Sequence, residues 1–218
     1  MEARALGAPT RRMNATVNSI DQIVTLRIEL LDTDPLIWRQ VEVPTSITLK
    51  VLHDVVQAAM GWWDQHLWVF RQDERTYGPA ILKEDGCATP ILKAETVRLR
   101  DIVDPGETVL DYIYDFGDSW EHRLTFTEVR QGDPNVEYPR YVAGKRAAPP
   151  EDCGGIPGFY GGLEVLADRE HPDHADVADW FGDYDPESMD EFIIEIALAR
   201  IARRRNAAKA TAARKARS

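Results

Sequence analysis

Four groups of residues combine side chains and spacings capable of chemistry. The first is Asp115, Asp118, Glu121 and His122. Carboxylates and imidazole are the hard and borderline ligands that divalent cations take. Asp118, Trp120 and His122 alternate along one face of any strand drawn through them, which makes Asp118 and His122 candidate ligands of a divalent metal ion. The same residues have a purely structural explanation. Their face continues into Leu124 and Phe126, so His122 also suits a core edge, hydrogen-bonded to an aspartate, while Asp115 and Gly117 shape a turn.

The second group, Glu151, Asp152 and Cys153, precedes Gly154 and Gly155. Adjacent glycines let a backbone approach a ligand and offer N–H groups to an anion, and either acid has the chemistry of a base or a metal ligand. A tight Pro-Gly loop whose acids cap the next helix accounts for them equally well. The third group is His53 and His66, on either side of Trp62 and Trp63. A hairpin folded over them would let His53, His66 and His122 converge, although a helical His beside Leu49 and Val56 is more often a satisfied, partly buried residue. The fourth is aromatic: Trp38, Trp62, Trp63, Trp68, Tyr112, Tyr114, Phe116 and Trp120 suit a peptide- or base-binding groove, or a core. His171 and His174 fall in a polar helix start and are expected to face water. The sequence holds no phosphate-binding GxxxxGK[ST] loop, no dinucleotide glycine pattern, no HExxH and no GxSxG, which disfavours the enzyme classes those motifs mark.

Regular elements must position these groups, and hydrophobic patterning locates them. Residues from Ile23 to Leu30 and from Ile37 to Val43 read as strands around a turn at Asp32 to Pro35, predicting an N-terminal hairpin. Ser46 or Thr48 caps a helix with Leu49, Leu52, Val56, Ala59 and Met60 on one face, ended by Gly61. Short strands are expected at Leu67 to Val69 and around Tyr77, and a brief helical or irregular link at Thr96 to Val103. Thr108 to Tyr114 and Trp120 to Val129, rich in β-branched and aromatic residues, flank Asp115-Phe116-Gly117-Asp118 and predict a central hairpin. Gln131 to Pro157, dense in Gly, Pro and acids, predicts a long ordered loop. Helical period returns at 161–167, 173–180 and 186–205. The expected fold is α+β: a mixed, largely antiparallel sheet with an N-terminal hairpin, a packed helix, a central β-hairpin and C-terminal helices.

Length and composition set the frame. A chain of 218 residues that is 44% hydrophobic and 29% charged buries a sizeable core without staples. Residues 1–19 are aperiodic and expected to be disordered, with Met13 a second candidate start. Residues 20–202 are expected to form a single domain, and 203–218 a basic, flexible tail. The first 19 residues carry +2 and the last 19 carry +8, so a net charge of −11 leaves −21 on the body between them. Such a body repels phosphate backbones; only the tail suits weak nucleic-acid contact. The two cysteines, Cys87 and Cys153, are too few for a disulfide framework. With neither a secretory signal nor an apolar run of the ~20 residues a membrane span needs, a cytoplasmic protein without membrane contact is expected.

Three stretches together resemble the plasmid pRiA4b ORF-3-like family: Ile37-Trp38-Arg39 with Leu52-His53 and Met60-Gly61-Trp62; YIYDFGDSWEH from Tyr112 to His122; and YPRYVAGKRAAPPEDCGG from Tyr138 to Gly155. The likeness runs from about Val24 to Phe192. It implies membership of a largely uncharacterised group found on plasmids and chromosomes, including a passenger protein of an insertion element labelled resolvase-like. That label does not transfer. The serines, Ser19, Ser46, Ser119, Ser188 and Ser218, are not set among arginines, and no His-x-x-Arg precedes a tyrosine as a tyrosine recombinase requires. Where members of the family commonly read ACPPEDCGG, this chain has Ala148 ahead of Pro149, which leaves Cys153 as the single thiol of that loop.

The missing catalytic motifs and the dense loop point first to a non-catalytic protein- or peptide-binding module, associated through the resemblance with plasmids or mobile elements. Its expected binding residues are Asp115, Asp118, Trp120, His122, Glu151, Asp152 and Cys153. A metal-dependent hydrolase or nuclease-like enzyme built on Asp115, Asp118, His122 and Glu151, with a divalent metal ion activating water, is the alternative. A nucleic-acid accessory protein acting through the basic tail is the third.

Overall fold

A computed structural model describes residues 21–84 and 90–216. The expected disordered segment at 1–19 and Cys87 lie outside the described residues. Strands β1 (Gln22–Leu30) and β2 (Ile37–Pro44) form the expected N-terminal hairpin, with Leu30 opposite Ile37. Helix α1 (Leu49–Met60) follows; Thr48 Oγ1 accepts from Val51 N–H and Gly61, at φ 83°, ends the helix in the left-handed region. Strands β3 (Trp68–Gln72), β4 (Arg75–Gly78) and β5 (Ile91–Lys93) lead to β6 (Val109–Tyr114) and β7 (Trp120–Gln131), the expected central hairpin. After β8 (Arg140–Lys145) come α2 (Gly155–Ala167), α3 (His174–Phe181) and α4 (Glu191–Lys215).

The eight strands form one sheet in the order β5-β4-β3-β6-β7-β1-β2-β8. Every neighbouring pair is antiparallel except β4 and β5, so the α+β, mixed and largely antiparallel reading holds. Alternation decides which side chains face the core: Val24, Leu26, Ile28 and Leu30 of β1 and Trp120, His122, Leu124 and Phe126 of β7 are all buried. One apolar cluster joins these strand residues, His122 apart, to Leu52, Val56 and Ala59 of α1, Phe159 of α2, Phe181 of α3 and Ile194, Leu198 and Ile201 of α4.

Two expectations need correction. The long loop at Gln131 to Pro157 contains β8, which pairs along β2 from Trp38 opposite Lys145 to Glu42 opposite Arg140, and it ends early because α2 begins at Gly155. The boundary at residue 203 falls inside α4. Alanines at 207, 208, 210, 212 and 213 favour helix, and three cations beyond that boundary are tied to the body: Arg204 to Asp54 at 2.7 Å, Arg205 to Asp21 at 2.6 Å and Lys209 to Asp21 at 2.8 Å. No helix among the described residues is long and apolar enough to cross a membrane.

Candidate functional site

Three segments meet at one end of the sheet: the chain leaving α1, the β6–β7 turn and the loop before α2. Beyond Gly61 the chain folds back over the sheet. Trp62 stacks on Tyr114 with ring centroids 5.2 Å apart and donates its Nε1–H to Pro149 O at 2.9 Å. Glu151 fastens all three. Its Oε2 accepts from Trp63 N–H at 2.9 Å, and its Oε1 accepts from the Tyr114 hydroxyl at 2.5 Å; that hydroxyl in turn accepts from Gln65 N–H at 3.0 Å. Both Glu151 oxygens are thus engaged in holding loops. Burial first, and the Glu151 carboxylate after it, raise the Tyr114 phenol well above its ordinary value, so it stays protonated and donates.

The β6–β7 turn is fixed from within and from outside. Asp115 Oδ1 accepts from Gly117 N–H at 2.9 Å, while Asp118 Oδ2 accepts from Gly154 N–H at 3.2 Å. Gly155 lies so close to this turn that a Cβ there would sit 2.3 Å from Asp118 O, at a φ of +65°. Only glycine permits both the approach and the backbone angle.

This arrangement brings His66, Asp115 and Asp152 together. His66 Nε2 lies 3.0 Å from Asp152 Oδ1 and 3.7 Å from Asp115 Oδ2, and one ligand atom from each residue lies within 4.8 Å of the others. Nε2 is buried yet makes no aligned hydrogen bond, so the short approach to Asp152 is not an N–H···O bond of ordinary geometry. Two ligands held about 2.0–2.2 Å from one tetrahedral ion stand roughly 3.3–3.6 Å apart, and the 3.0 and 3.7 Å spacings straddle that range. Asp118 and Glu151 add negative charge around the group, which favours a cation.

A second grouping among the described residues, His53, Asp54 and Asp64, is already neutralised. Lys50 Nζ lies 2.8 Å from Asp54 and 3.3 Å from Asp64, and Arg204 pairs with Asp54. Both His53 ring nitrogens have partners, Tyr112 Oη at 2.8 Å and Asp64 Oδ1 at 2.7 Å. Burial lowers the His53 pKa despite the Asp64 hydrogen bond. The ring also stacks on Trp68 at 4.0 Å. This group holds α1 on the sheet.

The expected site residues therefore divide. Asp115 and Asp152 enter the cluster with His66, and Glu151 and Asp118 fix the segments that carry it. Trp120 and His122 are wholly buried. His122 Nδ1 faces the carbonyls of Trp120 (3.1 Å) and Tyr112 (3.4 Å), and burial pulls its pKa down to about 4. The expected Asp118–His122 ligand pair is not brought together: alternation on β7 aims His122 at the core with Leu124 and Phe126, while Asp118 faces Gly154. Nor do three imidazoles converge, because the Tyr112 ring lies against both His53 and His122, at 5.9 and 5.3 Å. The Cys153 thiol, pushed up to about 12 by burial and then by Asp118, is a poor nucleophile. Most of the aromatic set packs in the core, but Trp63 is 79% and Phe116 50% exposed. Positions 66, 115 and 152 are far apart in the chain, so no local spacing marked them as one group.

Residues 22–192 match the plasmid pRiA4b ORF-3-like protein family. The chain is 37% identical over 170 residues to an uncharacterised protein, y4hQ, of Sinorhizobium fredii, covering 76% of this chain and 85% of that one. Its fold is similar to the crystal structure of MM3350, a protein of unknown function from Methanosarcina mazei, with a TM-score of 0.72, 33% identity and coverage of 80% of this chain and 98% of the other. The segments that converge on the cluster all fall within the matched span, and the extent of that match shows that the chain belongs to the plasmid pRiA4b ORF-3-like family.

Proposed function

We propose that the protein is a metal-dependent hydrolase in which His66, Asp115 and Asp152 hold one divalent cation. The observation that carries this reading is the approach of His66 Nε2, buried and without an aligned hydrogen bond, to two carboxylates at 3.0 and 3.7 Å. One imidazole and two carboxylates suit zinc or manganese, and three protein ligands leave a position for water, as in catalytic rather than structural metal sites. A zinc ion held by these three residues would lower the pKa of such a water from 15.7 towards about 7. The surrounding Asp118 and Glu151 repel polyanions, so uncharged esters or amides fit the site better than phosphodiesters. The test is hydrolysis of p-nitrophenyl acetate and a peptide arylamide by full-length protein loaded with zinc or manganese. Metal-dependent turnover lost in His66→Ala supports the assignment; no turnover of either probe, or turnover indifferent to His66→Ala, contradicts it.

A second reading, a protein- or peptide-binding module, is favoured by one observation: Trp63 and Phe116 stand exposed on the segments that build the cluster. Exposed aromatics of this kind anchor partners. Replacing both by alanine should then remove specific partners recovered with the tagged protein, and an unchanged set would sink this reading.

A further inference from the structure

At the opposite end of α1 from the cluster, a cavity of about 380 Å³ opens between the start of that helix, the segment around Arg98 and Arg100, and α4. Its charged lining is four cations, Arg98, Arg100, Arg205 and Lys209, against one carboxylate, Asp21. In a chain of net charge −11, that local excess is maintained against the repulsion of like charges. Internal partners among the described residues do not cancel it. Asp21 is shared by Arg205 at 2.6 Å and Lys209 at 2.8 Å. Arg98 donates to the uncharged Ser46 O at 2.8 Å, and Arg100 lies 3.7 Å from Asp101 in an exposed pair. Burial alone would raise the Asp21 carboxyl, but the Lys209 and Arg205 hydrogen bonds outweigh it and the net shift is downward. Asp21 therefore stays ionised and keeps the two cations in place.

The geometry also presets the donors. Arg205 Nη2 bonds to Ser46 Oγ at 2.8 Å as well as to Asp21, and Arg98 is anchored on the Ser46 carbonyl, so two guanidinium groups are fixed about the same residue. Fixed guanidinium forks match phosphate oxygens two at a time, and little rotamer freedom is lost when they bind. The volume lies within the ~300–1,000 Å³ range of small-molecule pockets and exceeds what inorganic phosphate alone fills. We infer that this cavity binds a phosphorylated small molecule, with its phosphate dianion seated among Arg98, Arg205 and Lys209. This site is independent of the metal cluster, from which the twelve residues of α1 separate it, a helix length of about 18 Å.

The experiment is a calorimetric titration of the full chain with inorganic pyrophosphate, at constant ionic strength and with a chelator present so that no metal contributes. One binding event is expected, together with a raised thermal midpoint. In the double variant Arg98→Ala/Lys209→Ala, whose side chains are exposed or half-exposed, affinity should fall by at least about tenfold, as losing a charge-assisted bond implies. Circular dichroism melting of that variant checks that the fold survives, and Arg100→Ala supplies a second, independent lining change. Absence of both heat and thermal shift, or affinity equal to that of the natural chain in both the double and the Arg100→Ala variants, overturns the inference. So does binding of a single-stranded oligonucleotide through these cations without binding of pyrophosphate, which would assign them to a polymer.

Discussion

The Tyr114 hydroxyl donates to Glu151 Oε1 at 2.5 Å, and through this bond the end of β6 holds the loop that carries Asp152. Because Glu151 Oε2 also accepts from Trp63 N–H, removing the carboxylate leaves two donors unpaired. Glu151→Ala should lower stability by about 1–3 kcal/mol. Tyr114→Phe should lower it less, and a double-mutant cycle in urea should return a coupling energy above the error of additivity. Additive losses would show that the two residues act separately.

His122 makes stability depend on pH. Its folded pKa lies near 4 against an ordinary value of 6.5, because burial penalises the imidazolium. Below 6.5 the unfolded chain takes up a proton that the folded chain refuses, so stability present at neutral pH is lost as pH falls from about 6.5 towards 4. The full loss is on the order of 3 kcal/mol. Urea midpoints across this window should decline for the natural chain, and His122→Gln should remove that part of the slope. Parallel curves for the two proteins would contradict it.

Arg39 is 1% exposed and donates to three backbone carbonyls: Ala59 O at 2.8 Å, Trp38 O at 2.9 Å and Lys145 O at 3.1 Å. It therefore ties the end of α1 to β8 across β2. Burial lowers its pKa to about 10, so it remains charged at neutral pH. Arg39→Ala opens a cavity and strands these acceptors, and should cost roughly 3 kcal/mol or more, read as a fall in the urea midpoint at unchanged slope.

Gly155→Ala sets a Cβ 2.3 Å from Asp118 O in a positive-φ position. The loop must move, so the variant should lose at least about 1 kcal/mol and bind metal more weakly than the natural chain, because the displaced backbone carries Asp152. Unchanged metal affinity would separate this loop from the cluster.

Elements were legible in the sequence where a single physical signal dominated. The alternation of β1, the Thr48 and Gly61 ends of α1 and the aromatic-rich β6–β7 pair all read directly. β8 was hidden because Gly144 and the prolines on either side resemble loop chemistry, whereas its order comes from pairing with β2. The start of α2 was hidden for a similar reason. Glycines are poor helix formers, and Gly158 is there because a Cβ would lie 1.9 Å from Cys153 O, a packing demand that no local pattern expresses. At the candidate site, Asp115 and Asp152 stood out by their loops, but their partner His66 joins them only through long-range folding. His122 was a false lead whose own alternation with Leu124 and Phe126 pointed to the core.

Calorimetric titration of zinc or manganese into chelator-stripped full-length protein, repeated on Asp152→Asn, reads the proposed metal site itself. One divalent ion bound per chain is expected, with affinity reduced at least about tenfold in the variant as a ligand charge is lost. No binding by the natural chain, or equal binding by Asp152→Asn, would contradict it.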